Sequence, residues 1–364
     1  MRRNIRALVL VSMGMMALGA CNSDSTGMGG GNTPAPNPVG KLFVLNQTDS
    51  TIYIYDTKTF TRIDSFPAQV AAPHYIRFSP DGLNYYVVTL EFNGRVAKYE
   101  TATNNFLGFA RTNTSLFPAA IAFNSTGQFG YVCDFTSGVN LSKMYKFDLS
   151  TMTVVDSLPS GAMSHDLKNT SDGRWIIACN RNTEDITIVD TQNDNVTRVS
   201  IDPDSIYAPT GAPKYGPFGV EIGPNDSLAY IACIKADQIR VLDIAQQTIV
   251  DSLFIPHIHS DLGPHGPTLM AVSPDNDVVY VTTQWSNRVV AVRRSTHTVI
   301  GTVFFETPRP FGITISDDGS RVYTSCANLQ NQRARVYAID TKTFTKVDSV
   351  DVGLNSLGLI YRGS

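Results

Sequence analysis

Most of the short motifs that announce a chemistry are missing from this sequence. Its 364 residues include five cysteines, and none stands in a CxxC or CxxCH pair. Covalent haem of the usual kind is therefore not indicated. There is no GxSxG, no HExxH, no Ser-His-Asp spacing and no phosphate-binding glycine loop, so no familiar motif supports a mechanism. Long apolar runs are also missing. The longest, Ala7–Ala20, is short for a bilayer crossing. Positive charge is scarce: 29 Lys and Arg stand against 32 Asp and Glu. Three of the arginines lie in the first six residues, and losing them leaves a mildly acidic chain. That argues against nucleic acid as a partner.

What is present begins at the start of the chain. Arg2, Arg3 and Arg6 precede the apolar run, which ends in small residues. This is the pattern of an export signal. The stretch "LGAC", Leu18–Cys21, resembles the lipobox of bacterial lipoproteins. That resemblance implies cleavage after residue 20 and acylation of Cys21, with several acyl chains holding the protein firmly to a membrane. Asn22 follows the cysteine, and its resemblance to Gram-negative sorting implies the outer membrane of the cell envelope. Residues 22–39 are rich in Gly, Pro, Ser and Asn and cannot build a core. The expected organisation is a signal peptide over 1–20, an anchored tether over 21–39 and a folded domain over 40–364.

The folded region repeats. "YIRFSPDG" (Tyr75–Gly82), "AIAFNSTG" (Ala120–Gly127), "DLKNTSDG" (Asp166–Gly173), "GVEIGPND" (Gly219–Asp226), "LMAVSPDN" (Leu269–Asn276) and "GITISDDG" (Gly312–Gly319) each run from a short strand into a turn. The turn ends step by 45, 46, 53, 50 and 43 residues. Ser, Pro, Asp and Gly are the residues such a turn needs. Second strands such as "YYVVT" and "WIIAC" follow, then third and fourth strands. Four strands per period of this length is a propeller signature. The C-terminal "LNSLGLIYRGS" supplies a lone innermost strand, and the stretch from Lys41 to Phe66 supplies three strands without a first. The expected fold is therefore all-β: a seven-bladed β-propeller of four-stranded antiparallel blades. Its last blade is closed by the C-terminal strand plus three N-terminal strands. The pieces "FSPDGLNYYVVT", "VSPDNDVVYVTT", "ISDDGSRVYTSC" and "YIYDTKT" resemble the YVTN-type β-propeller repeat family over Lys41–Tyr361.

Strand register then sorts the residues. The SPDG-type turns fall on one face, called the bottom. The loops joining fourth to first and second to third strands fall on the top. Cys133, Cys179, Cys233 and Cys326 lie at similar places in second strands of different blades. Such places are about 10 Å apart, beyond disulfide reach, so buried free thiols are expected. His74 and His165 share one register at the channel mouth, where the other blades carry Ala119, Phe218, Thr268, Phe311 and Leu357. His257, His259 and His265, with Asp261, fall in the loop between blades four and five. The insertion Ile201–Phe218 adds Tyr207, Lys214 and Tyr215; Trp285 and Arg309 lie on the same face. Long loops on one face of a repeat scaffold usually form its binding surface.

Two classes of function fit. The first is a cell-envelope lipoprotein that binds a protein or small molecule through His74, His165, Tyr207, Tyr215, His257, His259, Asp261, His265, Trp285 and Arg309, with no cofactor. The second is an enzyme on the same scaffold. By fold analogy it is a metal-dependent, lactonase-like hydrolase or a copper- or redox-associated propeller. Imidazoles and a carboxylate that converge can hold Cu or Zn. The candidate ligands are His257, His259, His265, His74 and His165, with Asp166 and Asp261 as further ligands or orienters.

Overall fold

The computed structural model describes residues 34–111, 117–136, 138, 141–202, 213–256, 265–328 and 332–364. Cys21, Tyr207, His257, His259 and Asp261 lie outside them.

The described chain builds seven antiparallel sheets of four strands each. Six use consecutive strands, and their innermost members are β4 (Pro73–Phe78), β8 (Pro118–Phe123), β12 (Ser164–Asn169), β16 (Pro217–Ile222), β20 (Pro267–Val272) and β24 (Pro310–Ile315). The seventh blade has the order β28 (Ser356–Gly363), β1 (Gly40–Asn46), β2 (Thr51–Asp56), β3 (Thr61–Pro67). The expected closure is thus observed. Phe43 pairs with Ile360 across the seam. A polar clasp reinforces it: the Gly353 N–H and the Ser356 hydroxyl both donate to Asn46 Oδ1, and the Leu354 N–H donates to Asp49 Oδ2 at 2.7 Å. A ring closed by chain pairing leaves no open sheet edge between its first and last blades.

Burial explains the composition of each strand. Second strands such as β5 (Asn84–Thr89) and β13 (Trp175–Asn180) are buried at almost every position, because neighbouring blades cover both of their faces. A strand covered on both faces reads as a continuous apolar run instead of alternating. Outermost strands such as β3 face water along most of their length. The bottom turns are held by one recurring device. In blade one the Ser79 hydroxyl donates to Asp81 Oδ1, which also accepts from the Leu83 N–H, and Gly82 takes a φ of 68°. Ser273–Asp275 and Ser316–Asp318 repeat it. Cys133, Cys179, Cys233 and Cys326, the four cysteines among the described residues, are buried and unpaired. Burial pushes the Cys133 and Cys233 thiols up to about 12.

The segment expected to serve as a tether up to Val39 is engaged from Ala35 onward. The fully buried Arg321 donates to Asn37 Oδ1 at 3.0 Å and to the Ala35 carbonyl, and pairs with Asp340. The Ala35 N–H donates to the same Asp340 carboxylate. A desolvated guanidinium needs all its donors met, and the polar backbone of this short segment meets them.

Candidate functional site

The innermost strands line a central channel, and each of the first six carries an irregularity near its second residue. Strand register shifts between Pro73 and Tyr75, Pro118 and Ile121, Ser164 and Asp166, Pro217 and Gly219, Pro267 and Met270, and Pro310 and Ile313. A bulge of this kind re-aims a side chain out of the ladder. The second residues are His74, Ala119, His165, Phe218, Thr268, Phe311 and, in blade seven, Leu357.

These residues close the top of the channel with a plug of rings. His165 stacks on Phe218 at 3.7 Å between centroids, with Phe135 4.8 Å away. Phe311 lies 5.8 Å from His74, 5.9 Å from His165 and 6.0 Å from Phe218. His74 and His165 come within 5.6 Å of each other although a blade separates them. The intervening strand β8 presents Ala119, Ala120 and Ala122, which are too small to hold them apart. Both imidazoles are 4% exposed. Burial pushes His74 down to about 4, and burial together with its neighbour His74 holds His165 well below the usual histidine range. Both are neutral at pH 7. Their Nδ1 atoms have no hydrogen-bond partner.

Beneath the plug lies a cavity of about 350 Å³, lined from His74 and His165 down to Pro224 and Tyr361 near the bottom turns. Its walls carry the charged chemistry of the channel. The fifth residues of the innermost strands are Arg77, Ala122, Lys168, Glu221, Ala271, Thr314 and Ile360. Lys168 pairs with Glu221 at 3.1 Å and lies 5.6 Å from the Tyr75 ring. Burial works against the Lys168 charge, but Glu221, Tyr75 and Asp166 outweigh it and raise its pKa. Arg77 has an Nη1 with no partner. Asp166 is 1% exposed; one oxygen accepts from the Val220 N–H at 3.1 Å and the other has no partner. Burial raises this carboxyl to about 6, against the pull of Lys168. A carboxyl that titrates near neutrality, beside fixed cations in a water-accessible cavity, is equipped for proton transfer.

The remaining residues singled out in the sequence scatter. His265 is buried; its Nδ1 lies 3.0 Å from the Ser286 hydroxyl and its Nε2 3.0 Å from the Pro256 carbonyl. Tyr215 is packed into the core of blades three and four, with the Arg240 guanidinium 4.8 Å from its ring. Trp285 is 45% exposed and covers Gly266. Arg309 is half-buried with a φ of 61°, held by Asn287 Oδ1 on its N–H. Among the described residues no three His, Cys, Asp or Glu side chains are grouped as metal ligands. Tyr75, Arg77, Lys168 and Glu221 are not among the candidates named from the sequence, because they lie on innermost strands and not in the top-face loops. A signal was available: charge at the fifth position of an innermost strand, where other blades carry Ala, Thr or Ile.

Comparison with known proteins agrees with this geometry. The family described as "Lactonase, 7-bladed beta-propeller" matches residues 57–250, more than half of the chain. No curated protein matches the sequence. Among solved structures, the periplasmic gluconolactonase of Pseudomonas aeruginosa superposes with a TM-score of 0.70 at 16% identity, covering 89% of this chain and 99% of that one. A putative 6-phosphogluconolactonase from Bacteroides fragilis gives 0.68 at 15% identity, covering 91% and 100%. A protein of unknown function from Desulfotomaculum acetoxidans gives 0.66 at 14%, covering 89% and 99%. At such identities the superpositions speak for the fold alone; with the sequence match added, the chain belongs to the seven-bladed β-propeller lactonase family.

Proposed function

We propose that this protein is a lipid-anchored cell-envelope hydrolase that opens a small polar lactone in its central channel. The observation that carries the reading is Asp166, a buried carboxyl with one unpaired oxygen, set beside Lys168 and Arg77 in the cavity. Asp166 takes a proton from a water molecule. The resulting hydroxide adds to the lactone carbonyl, and Lys168 and Arg77 stabilise the charge that develops on the carbonyl oxygen. The ring C–O bond then breaks, and the alkoxide leaving group takes up the proton held by Asp166. The product is a hydroxy acid, whose ionisation releases one proton to solution. Membership of the lactonase family and the likeness to a periplasmic gluconolactonase support this reading. The lipobox-like "LGAC" supports the address.

The test is base consumption at constant pH over a panel of aldonic and simple γ- and δ-lactones. Turnover above the uncatalysed rate is expected for at least one substrate, with Asp166→Asn reducing it by about a hundredfold or more. No turnover across the panel, or full activity in the Asn variant, refutes the mechanism. Saturable lactone binding without base consumption would select the binding-protein reading. That reading is favoured by the exposed Trp285, 45% accessible on the top face, where a protein or small molecule could dock.

A further inference from the structure

The histidine pair in the channel plug leaves two buried nitrogen atoms unsatisfied, which is uncommon in a folded interior and calls for an explanation such as a bound ion. We propose that His74 and His165 form a two-coordinate site for a soft monovalent metal ion, Cu(I) or Ag(I).

Three observations carry this. The first is spacing. Two imidazoles facing each other across an ion, with metal–nitrogen bonds of about 2 Å, place their ring centroids about 6 Å apart; the observed separation is 5.6 Å. The rings cross at 83°, which a two-coordinate ion permits because each ring turns freely about its own bond to the metal. The second is availability: the Nδ1 atoms of both rings are buried and lack a hydrogen-bond partner, and an imidazole nitrogen is a common metal ligand. The third is the company they keep. Among the described residues no third His, Cys, Asp or Glu side chain joins the pair. Zinc sites take three or four protein ligands, and Cu(II) prefers a tetragonal set. On the plug side the walls are instead Phe135, Phe218 and Phe311, apolar rings that favour a low-charge ion over a strongly hydrated one. Both histidines also line the channel cavity, which gives an ion a route to them.

The experiment uses the full-length protein under anaerobic conditions, with Cu(I) supplied as its coloured bicinchoninate complex. The wild type should withdraw one equivalent, and His74→Phe and His165→Phe should each weaken that binding by about a hundredfold or more. Because a substitution in the plug can unfold the chain, a second measurement keeps the wild-type pair intact. Ag(I) is titrated into protein carrying ¹⁵N-labelled histidine, with resonances assigned by replacing the other four histidines. Only the His74 and His165 imidazoles should shift. No withdrawal of Cu(I), retention of the equivalent in both folded variants, shifts confined to other histidines, or Zn(II) binding of equal strength would each overturn the site.

Discussion

The buried histidine pair should make the fold sensitive to mild acid, and His74→Phe isolates the effect. His74 has a pKa of about 4 in the folded chain and about 6.5 when unfolded. Its folded value is depressed, so the unfolded state binds more protons between those limits and stability falls as pH drops through that window. From pH 7.5 to pH 5 the loss from His74 alone is about 2 kcal/mol. His165 shifts in the same direction and adds to it. Asp166 opposes them. Its folded pKa is raised to about 6, so protonation below that value returns about 1.4 kcal/mol at pH 5. The other charged groups that face the pair are Lys168, Glu221 and Arg77 in the cavity and Arg181 beside His165. The Phe variant retains the ring contacts with Phe311 and lacks the titrating nitrogen. Urea unfolding of both proteins at pH 7.5 and pH 5, followed by the fluorescence of Trp175 and Trp285, gives two pH differences. The Asp166 contribution is common to both and cancels. The variant should lose about 2 kcal/mol less than the wild type on acidification. Equal losses, agreeing to within about 0.5 kcal/mol, would mean that His74 is not held neutral by burial.

Arg321→Met leaves Asp340 buried and unpaired and should cost about 3–5 kcal/mol, measured by denaturant unfolding; it should also expose the segment from Ala35 to Val39 to protease. Truncation after Gly353 removes β28 and should abolish cooperative unfolding, because three strands of blade seven lose their innermost partner. Iodoacetamide should fail to label Cys133, Cys179, Cys233 and Cys326 in the native protein and label all four in denaturant, since burial keeps these thiols protonated; labelling of any one under native conditions would refute its placement. Lys168→Met should lower lactone turnover while leaving the channel folded, and an unchanged rate would remove Lys168 from the site.

The seven blades could be read from the sequence because each repeat states the same strand and turn chemistry independently. Ser79, Ser273 and Ser316 all precede an Asp by two residues, and that spacing is local enough to appear in the chain. The seam was legible for the same reason: a first strand without followers at one end complements followers without a first strand at the other. Register also gave His74 and His165 a common level in the channel. It gave no reason for them to touch, because two blades that are not neighbours are held apart in any idealised ring. Tyr215 and His265 were assigned to a rim on loop length alone. Length does not reveal that Arg240 and Ser286 draw these side chains inward.

Blade two makes the difference between an idealised ring and this one. Its innermost strand carries alanine at the second, third and fifth positions, where blades one and three carry His74, Tyr75 and Arg77, and His165, Asp166 and Lys168. These three small side chains leave a gap between the larger residues of blades one and three, which close over it. His74 reaches His165 above the gap, and Tyr75 reaches Lys168 below it. The alanines are therefore as much a part of the site as the charges. Replacing Ala119 with leucine leaves every titratable group in place but adds a branched side chain to the strand that separates the two histidines. If the gap creates the site, this one change should separate the histidines, raise the acid stability of the fold and weaken Cu(I) binding together. If Cu(I) binding and acid sensitivity both stay at the wild-type level in a folded Ala119→Leu protein, the gap is not what brings the pair together.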